Sequence, residues 1–281
     1  MAYFAGVDVG WVYAKAIILN DQAVVARQMV PSRVSYDNAG REVLMKALAQ
    51  APVSQEQLTG VVTTGHRAGD VPMAKEKAAD VICTSRGVFY EMPAARTIID
   101  VSGQSQRVIV INERGKIRNF LENPRCATGL QRQETKTYNC EICGAASCRY
   151  LHQVASALGV GEEDLADLSQ GAQDPIKYDP DACAVVARSE VRDWLAKGAS
   201  REDIVAGVHT AAAFRIAGMV TRAGMQKEIV LTGGGAKDNG LIRAIEKRLG
   251  MEVLVPEYPE YCAARGAALI ARDMADAPGL K

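Results

Sequence analysis

The sequence predicts an α/β protein built from two similar halves that face each other across a cleft. Three observations carry that expectation. Short apolar runs alternate with segments of helical periodicity. An apolar strand ending in Asp, followed at once by a hairpin, occurs twice about ninety residues apart. The chain has 281 residues, enough for two halves. The competing explanation of the second observation is that two buried strands merely happen to end in Asp.

Tyr3–Val9 is the first apolar run, ending in Asp8-Val9-Gly10. Ala14–Leu19 and Ala23–Met29 follow as strands, with Asn20-Asp21 between them as a turn, which makes a meander. Arg41–Gln50 has helical spacing, with Val43, Leu44, Ala47 and Leu48 on one stripe. Leu58–Thr64 is a strand ending at Gly65, and Met73–Arg86 is expected to be a helix. Thr97–Gly103 then repeats the opening pattern as Asp100-Val101-Ser102-Gly103. Arg107–Asn112 and Lys116–Leu121 form its hairpin. Residues 150–168 and 188–225 look helical, with Val191, Leu195, Ile204, Val208 and Ala212 as an amphipathic stripe. Glu228–Thr232 is a buried strand, Asp238–Leu249 a helix ended by Gly250, Val253–Val255 a strand, and Ala263–Met274 a helix.

Composition excludes several classes. Lys+Arg and Asp+Glu are 33 each, so no basic surplus exists to attract nucleic acid or an anionic membrane surface. Aromatics are 5%, too few for stacking platforms. No uninterrupted apolar run reaches the ~18 residues of a bilayer span. The first ten residues lack the basic and long apolar regions of a signal peptide, so a cytoplasmic location is expected. Seven cysteines, an odd number, argue against a disulfide framework in that compartment. Five of them, Cys126, Cys140, Cys143, Cys148 and Cys183, crowd the middle of the chain and point to metal.

The strand followed by Gly233-Gly234-Gly235 and a helix is a candidate phosphate cradle, because glycine lets backbone approach a ligand and a helix N-terminus offers unpaired N–H groups. Alone it is equally well a tight turn. Asp8 and Asp100, both at strand ends, could hold a hydrated Mg²⁺ on a polyphosphate, with Lys15 as a cation for the phosphates and Gln104 holding the attacking water. A strand-end Asp can equally cap a loop, and Lys15 can be solvated. The combination is more specific than any member.

Gly6–Gly10 with Lys15, Ile98–Gln104 and Val230–Gly235 together resemble the phosphate-1, phosphate-2 and adenosine motifs of the actin/hexokinase/acetate-kinase type of ATPase, a duplicated ribonuclease-H-like fold. Thr63-Thr64-Gly65-His66, Cys126-Ala127-Thr128-Gly129, Cys183–Val191 and Gly266–Leu269 narrow the resemblance to the BadF/BadG/BcrA/BcrD family. These are ATPase activators of 2-hydroxyacyl-CoA dehydratases and ATPase subunits of benzoyl-CoA reductase. The resemblance implies residues 1–95 as the first half, completed by a C-terminal helix at 263–281, and 96–262 as the second half, with a cysteine-rich insertion at about 130–148.

It also implies a function: ATP-dependent electron transfer at low potential to a CoA-thioester dehydratase or reductase. By the same resemblance, two subunits, identical or homologous, share one 4Fe-4S cluster at their interface, held by Cys126 and Cys183 of each. A ferredoxin or flavodoxin would reload it, under anaerobic conditions. Gly10, Trp11, Gly103, Gly233, Gly234, Gly235 and Glu190 would contact the nucleotide. Without the family, Cys126 and Cys183 read rather as small buried apolar residues than as ligands. Trp11, Ser102 and Ser105 depart from the family's usual Ser, Gly and Asp, and Thr84 stands where His is frequent. Those departures keep a slow-turnover nucleotide-binding regulator as an alternative, and a small-metabolite kinase of the same fold is another.

Cys140-x2-Cys143-x4-Cys148 is a chelating spacing outside the resemblance. With Cys126 or His152 it would complete four ligands for zinc or a second iron–sulfur cluster; the alternative is a loop of free thiols. Cys83 and Cys262 read as core or packing residues, and His66 and His209 have no partner ligand at a recognisable spacing.

Overall fold

The computed structural model describes residues 2–21, 23–32, 36–51, 53–65, 71, 74–123, 147–179 and 184–276. Contacts divide the chain into two compact units. Unit 1 comprises Met1–Ala95, Ile111–Ile117 and Pro256–Lys281; unit 2 comprises Arg96–Val110 and Arg118–Val255.

Unit 1 carries a five-stranded sheet of β1 (Tyr3–Val9), β2 (Tyr13–Asn20), β3 (Val24–Pro31), β4 (Leu58–Thr64) and β5 (Glu76–Lys77), in the order β3-β2-β1-β4-β5. β1 pairs antiparallel with β2 and parallel with β4. Both faces of β1 are buried, which is why it reads as a continuous apolar run. Helix α1 (Tyr36–Gln50) covers one face through Val43, Leu44, Ala47 and Leu48. On the other face, α2 (Asp80–Glu91) packs against α8 (Cys262–Asp276), and α8 against β1 and β4. The α8 backbone comes so close to β1 that a Cβ on Gly6 would stand 2.0 Å from the Ala264 carbonyl oxygen. The α2 and α8 backbones are likewise in contact at Gly87 and Gly266.

Unit 2 carries a four-stranded sheet of β6 (Thr97–Val101), β7 (Gln106–Ile111), β8 (Ile117–Glu122) and β9 (Ile229–Thr232), in the order β8-β7-β6-β9. Helices α3 (Cys148–Leu158), α4 (Leu165–Gln170), α5 (Ala184–Ala196), α6 (Arg201–Ala223) and α7 (Asn239–Leu249) complete it. Ile99, Val101, Val154, Ile204, Val208, Leu231 and Leu241 lie in its core.

Four expectations about elements need correction. The helix expected over Met73–Arg86 begins only at Asp80; Glu76–Lys77 pair with Val62–Thr63 as an edge strand. It also continues past Arg86, because Gly87 serves the contact with α8 rather than a helix end. The two long helical stretches are each divided, at Gly159 and Gly198, whose φ values of +69° and +87° suit glycine. Val253–Val255 forms no strand, only a single bridge from Leu254 to Val230. Finally, α6 is by length and composition apolar enough to cross a membrane, although His209, Thr210 and Arg215 interrupt its apolar run. Its most apolar window is 67% buried, so α6 is a core helix of unit 2.

Candidate functional site

The C-terminal end of β1 presents Asp8, nearly buried. Across the antiparallel pair β2 sets Lys15 opposite it, and Lys15 Nζ donates to Asp8 Oδ2 at 2.9 Å. Across the parallel pair β4 sets Thr64 opposite it. Gly65 comes next, with φ +95°, and a Cβ there would stand 2.5 Å from Asp8 Oδ1. Glycine is required twice over, by conformation and by the carboxylate against it.

Unit 2 repeats this arrangement residue for residue. The end of β6 presents Asp100, 2% exposed. β7 sets Arg107 opposite it, and Arg107 Nη1 donates to Asp100 Oδ2 at 3.2 Å. β9 sets Thr232 opposite on the parallel side. Gly233 comes next, with φ +83°, and a Cβ there would stand 2.7 Å from Asp100 Oδ1 and 2.4 Å from the Val101 carbonyl oxygen. Each half therefore holds a carboxylate, a cation from the next strand, a threonine and a left-handed glycine in the same registers.

Each carboxylate, taken within its own unit, is a hard oxygen donor of the kind a divalent cation takes, and each is bordered by a glycine where a Cβ would press on it. Ser102, one of the departures, supports this directly. Its hydroxyl donates to Asp100 Oδ1 at 2.6 Å, so the substitution supplies a further contact to the carboxylate. Gly10 lies in the β1–β2 turn, its N–H donating to the Tyr13 carbonyl, and Lys15 Nζ would be 3.2 Å from a Cβ on it. Trp11 is half-buried in the same turn. Gly103 and Gln104 lie in the turn between β6 and β7, where Gln104 is buried.

The Gly-rich segment differs from the expected cradle in one respect. Gly234 and Gly235 begin a short 3₁₀ turn, Gly234–Lys237, and the Gly240, Leu241 and Ile242 amides at the start of the helix after it are already bonded within the chain. Asp238 caps α7, accepting from Gly240 N at 2.8 Å and Leu241 N at 3.1 Å. Its other oxygen meets His209 Nε2 at 2.8 Å. Burial raises the Asp238 carboxyl, but the His209 hydrogen bond and charge, with the two amides, outweigh it and hold the group below the usual carboxylate range. The anion-binding capacity of α7 is thus taken by its own cap, which leaves the glycine backbone for a ligand. His209, for which the sequence shows no partner at a recognisable spacing, is the partner that fixes this cap.

Cys148 is the one cysteine of the expected chelating spacing that the described residues include. It opens α3, its thiol donating to the Val101 carbonyl at 3.2 Å, and its sulfur would be 3.1 Å from a Cβ on Gly234. The amides of Cys148 and Arg149 donate to the carbonyls of Ser102 and Gly103, both at 3.1 Å. The first turn of α3 therefore clasps the loop that follows Asp100. Cys126, Cys140, Cys143, Cys183 and His66 lie outside the described residues. Among the described residues no three His, Cys, Asp or Glu side chains gather as a metal site. Glu190 is half-buried on α5; burial first, then the charges of Tyr150 and Glu190, push the Tyr178 phenol up. Cys83 and Cys262 are buried in unit 1, and burial pushes the Cys83 thiol up to about 12.

The model of the BadF/BadG/BcrA/BcrD ATPase family matches residues 5–271. The chain belongs to that family. It is similar to a 2-hydroxyisocaproyl-CoA dehydratase activator of Clostridioides difficile, 33% identical over 274 residues, 97% of this chain and 96% of the relative. Among solved structures it is similar to the activator of the 2-hydroxyisocaproyl-CoA dehydratase from Clostridium difficile with bound ADPNP. There the TM-score is 0.85 and the identity 31%, covering 98% of this chain and 96% of that one. A ROK family glucokinase from Streptomyces griseus, at TM-score 0.55 and 15% identity over 96% of this chain and 99% of that one, shares the fold alone. The fold is the duplicated actin/hexokinase-like ATPase fold, and β1–β2–β4 in one unit matches β6–β7–β9 in the other.

Arg107 escaped the sequence reading. The signal was present: Lys15 follows Asp8 by seven residues, and Arg107 follows Asp100 by the same seven.

Proposed function

We propose that this ATPase hydrolyses ATP to drive electron transfer at low potential to a CoA-thioester enzyme, a 2-hydroxyacyl-CoA dehydratase or a benzoyl-CoA-reductase-type partner. The observation that carries the nucleotide part is the pair of half-sites, Asp8–Lys15–Thr64–Gly65 and Asp100–Arg107–Thr232–Gly233. The family and the ADPNP-bound relative support ATP as the ligand.

In this reading Asp8 and Asp100 hold hydrated Mg²⁺ against the phosphates, Lys15 offsets their charge, and Gln104 holds the attacking water. Water oxygen bonds to the γ-phosphorus as the bond to the β–γ bridging oxygen breaks. ADP departs with that oxygen, and the water proton passes to the phosphate and solvent. Gly10, Gly103 and Gly233–Gly235 present backbone to the nucleotide.

Cys126 and Cys183 would hold a 4Fe-4S cluster shared by two subunits, since thiolates are the ordinary donors for such a cluster. The cluster would supply a one-electron store, reloaded by a ferredoxin or flavodoxin. Cys140 and Cys143, with Cys148 only if its thiol leaves the Val101 carbonyl, would serve a second metal.

The test is metal content and ATPase activity on protein purified without oxygen. About two irons and two sulfides per chain are expected, with Mg²⁺-dependent ATP hydrolysis. Hydrolysis without iron after reconstitution would sink the redox half of the reading and leave a regulator or kinase. Zinc, or about four further irons, would assign the cysteine insertion as a separate site.

A further inference from the structure

We propose that Arg107 is a positioning residue of ATP hydrolysis, the counterpart in the second half of Lys15 in the first. The inference rests on the reading of Asp100 as a cation-holding carboxylate. Two independent features of the structure carry it. One is register: Arg107 stands opposite Asp100 as Lys15 stands opposite Asp8, and both cations bind the Oδ2 of their carboxylate. The other is that the Arg107 head is itself held. Its Nε donates to Glu122 Oε1 at 3.1 Å while Nη1 reaches Asp100, so one planar guanidinium bridges β8, β7 and β6.

That bridging is a reason for arginine rather than lysine. The guanidinium fork places two donors in one plane, and fixing one of them on Glu122 aims the other. The Arg107 side chain is 13% exposed and the Glu122 side chain 41% exposed, so the anchor faces water and the working end does not. Asp100 is then gripped from two sides, by Ser102 on Oδ1 and Arg107 on Oδ2. A carboxylate held in that way presents a fixed direction to a divalent cation, which is the preorganisation that phosphoryl transfer rewards.

The same contact opposes the metal. Arg107 and a divalent cation compete for the charge of Asp100, so Arg107 weakens Mg²⁺ binding while it orients the ligand. Removing the arginine should therefore move two quantities in directions that a general loss of structure would not. In Arg107→Gln, kcat for ATP hydrolysis should fall tenfold or more, while the half-saturating Mg²⁺ concentration falls threefold or more. Arg107→Lys, which keeps the charge but not the fork that Glu122 aims, should recover kcat only in part, to a value above Arg107→Gln and below the parent. Melting temperatures of both variants serve as the folding control.

A kcat within twofold of the parent in Arg107→Gln would overturn the inference. So would a half-saturating Mg²⁺ that is unchanged or higher, or a folded Arg107→Lys variant no more active than Arg107→Gln. Asp100→Asn separates the two levels of the argument. If it hydrolyses ATP at the parental rate, Asp100 is outside the reaction and both readings fall. If Asp100→Asn is inactive and Arg107→Gln is normal, only the inference falls.

Discussion

Gly233→Ala is the perturbation that most directly tests the unit 2 half-site. Gly233 has φ +83° and ψ −180°, a region that side-chain-bearing residues barely enter, at a cost of order 1–3 kcal/mol. A Cβ there also meets two fixed oxygens, Val101 O at 2.4 Å and Asp100 Oδ1 at 2.7 Å. Relieving that collision costs a further 1–3 kcal/mol, roughly, because backbone and a gripped carboxylate must both move. The sum is about 2–6 kcal/mol, or a melting temperature lower by about 4–24 °C. Gly250→Ala is the matched control. Gly250 has φ +69° and ψ +27° with no atom within 4 Å of a Cβ, so it reports the cost of a left-handed backbone without a collision, about 1 kcal/mol and about 2–4 °C. Thermal unfolding and ATP hydrolysis are measured on both. Gly233→Ala should lose stability beyond the control and lose most of its hydrolysis, and Gly250→Ala should keep its activity. If the two variants melt together and Gly233→Ala hydrolyses ATP normally, the loop after β9 is not pressed against Asp100 and the half-site argument is wrong.

Two further outcomes follow from the cap of α7 and the clasp of α3. Asp238 has a carboxyl held below its unfolded value, so its stabilisation is fully present above about pH 4 and is lost as pH falls through the lower folded value. Melting temperature should therefore fall between pH 5 and pH 2.5 more steeply in the parent than in Asp238→Asn; identical acid limbs would show that the His209–Asp238 pair contributes nothing. Cys148→Ala removes the donor to Val101 O and should cost about 0.5–1.5 kcal/mol and slow hydrolysis a few-fold. Cys148→Ser keeps a donor and should behave as the parent in both assays, whereas equal losses in the two variants would mean that the sulfur acts through packing.

The alternation of strands and helices was legible because both strand ends that matter are fully buried. β1 and β6 read as unbroken apolar runs, and the acid at the end of each is conspicuous for that reason. Edge elements were not legible. Glu76–Lys77 is a strand only because Val62–Thr63 have a free edge beside them, and nothing in two charged residues announces that. The end of α2 was not legible either, because Gly87 continues it in contact with a helix 175 residues further along the chain, at Cys262. The same limitation hid His209, whose partner Asp238 lies 29 residues away on another helix. Local rules find what a segment does for itself, and these residues act on segments remote in sequence.

The duplication supplies the means of going further than local rules. A repeat recognised from Asp8 and Asp100 alone predicts one carboxylate per half. Carried through the sheet registers, it predicts which strand neighbours must match: a cation at plus seven, and a Thr-Gly step on the parallel neighbour. Lys15 and Arg107 satisfy the first, Thr64-Gly65 and Thr232-Gly233 the second. The halves then diverge where their chemistry can differ. Lys15 is a compact cation on a flexible stem, able to follow a phosphate as it departs. Arg107 is a planar fork anchored on Glu122, suited to holding still. If hydrolysis needs one cation that moves with the leaving charge and one that fixes the metal's ligand, exchanging them should fail in an asymmetric way. Lys15→Arg should lose more activity than Arg107→Lys. Equal losses in the two exchanges would mean that the halves differ in sequence but not in task.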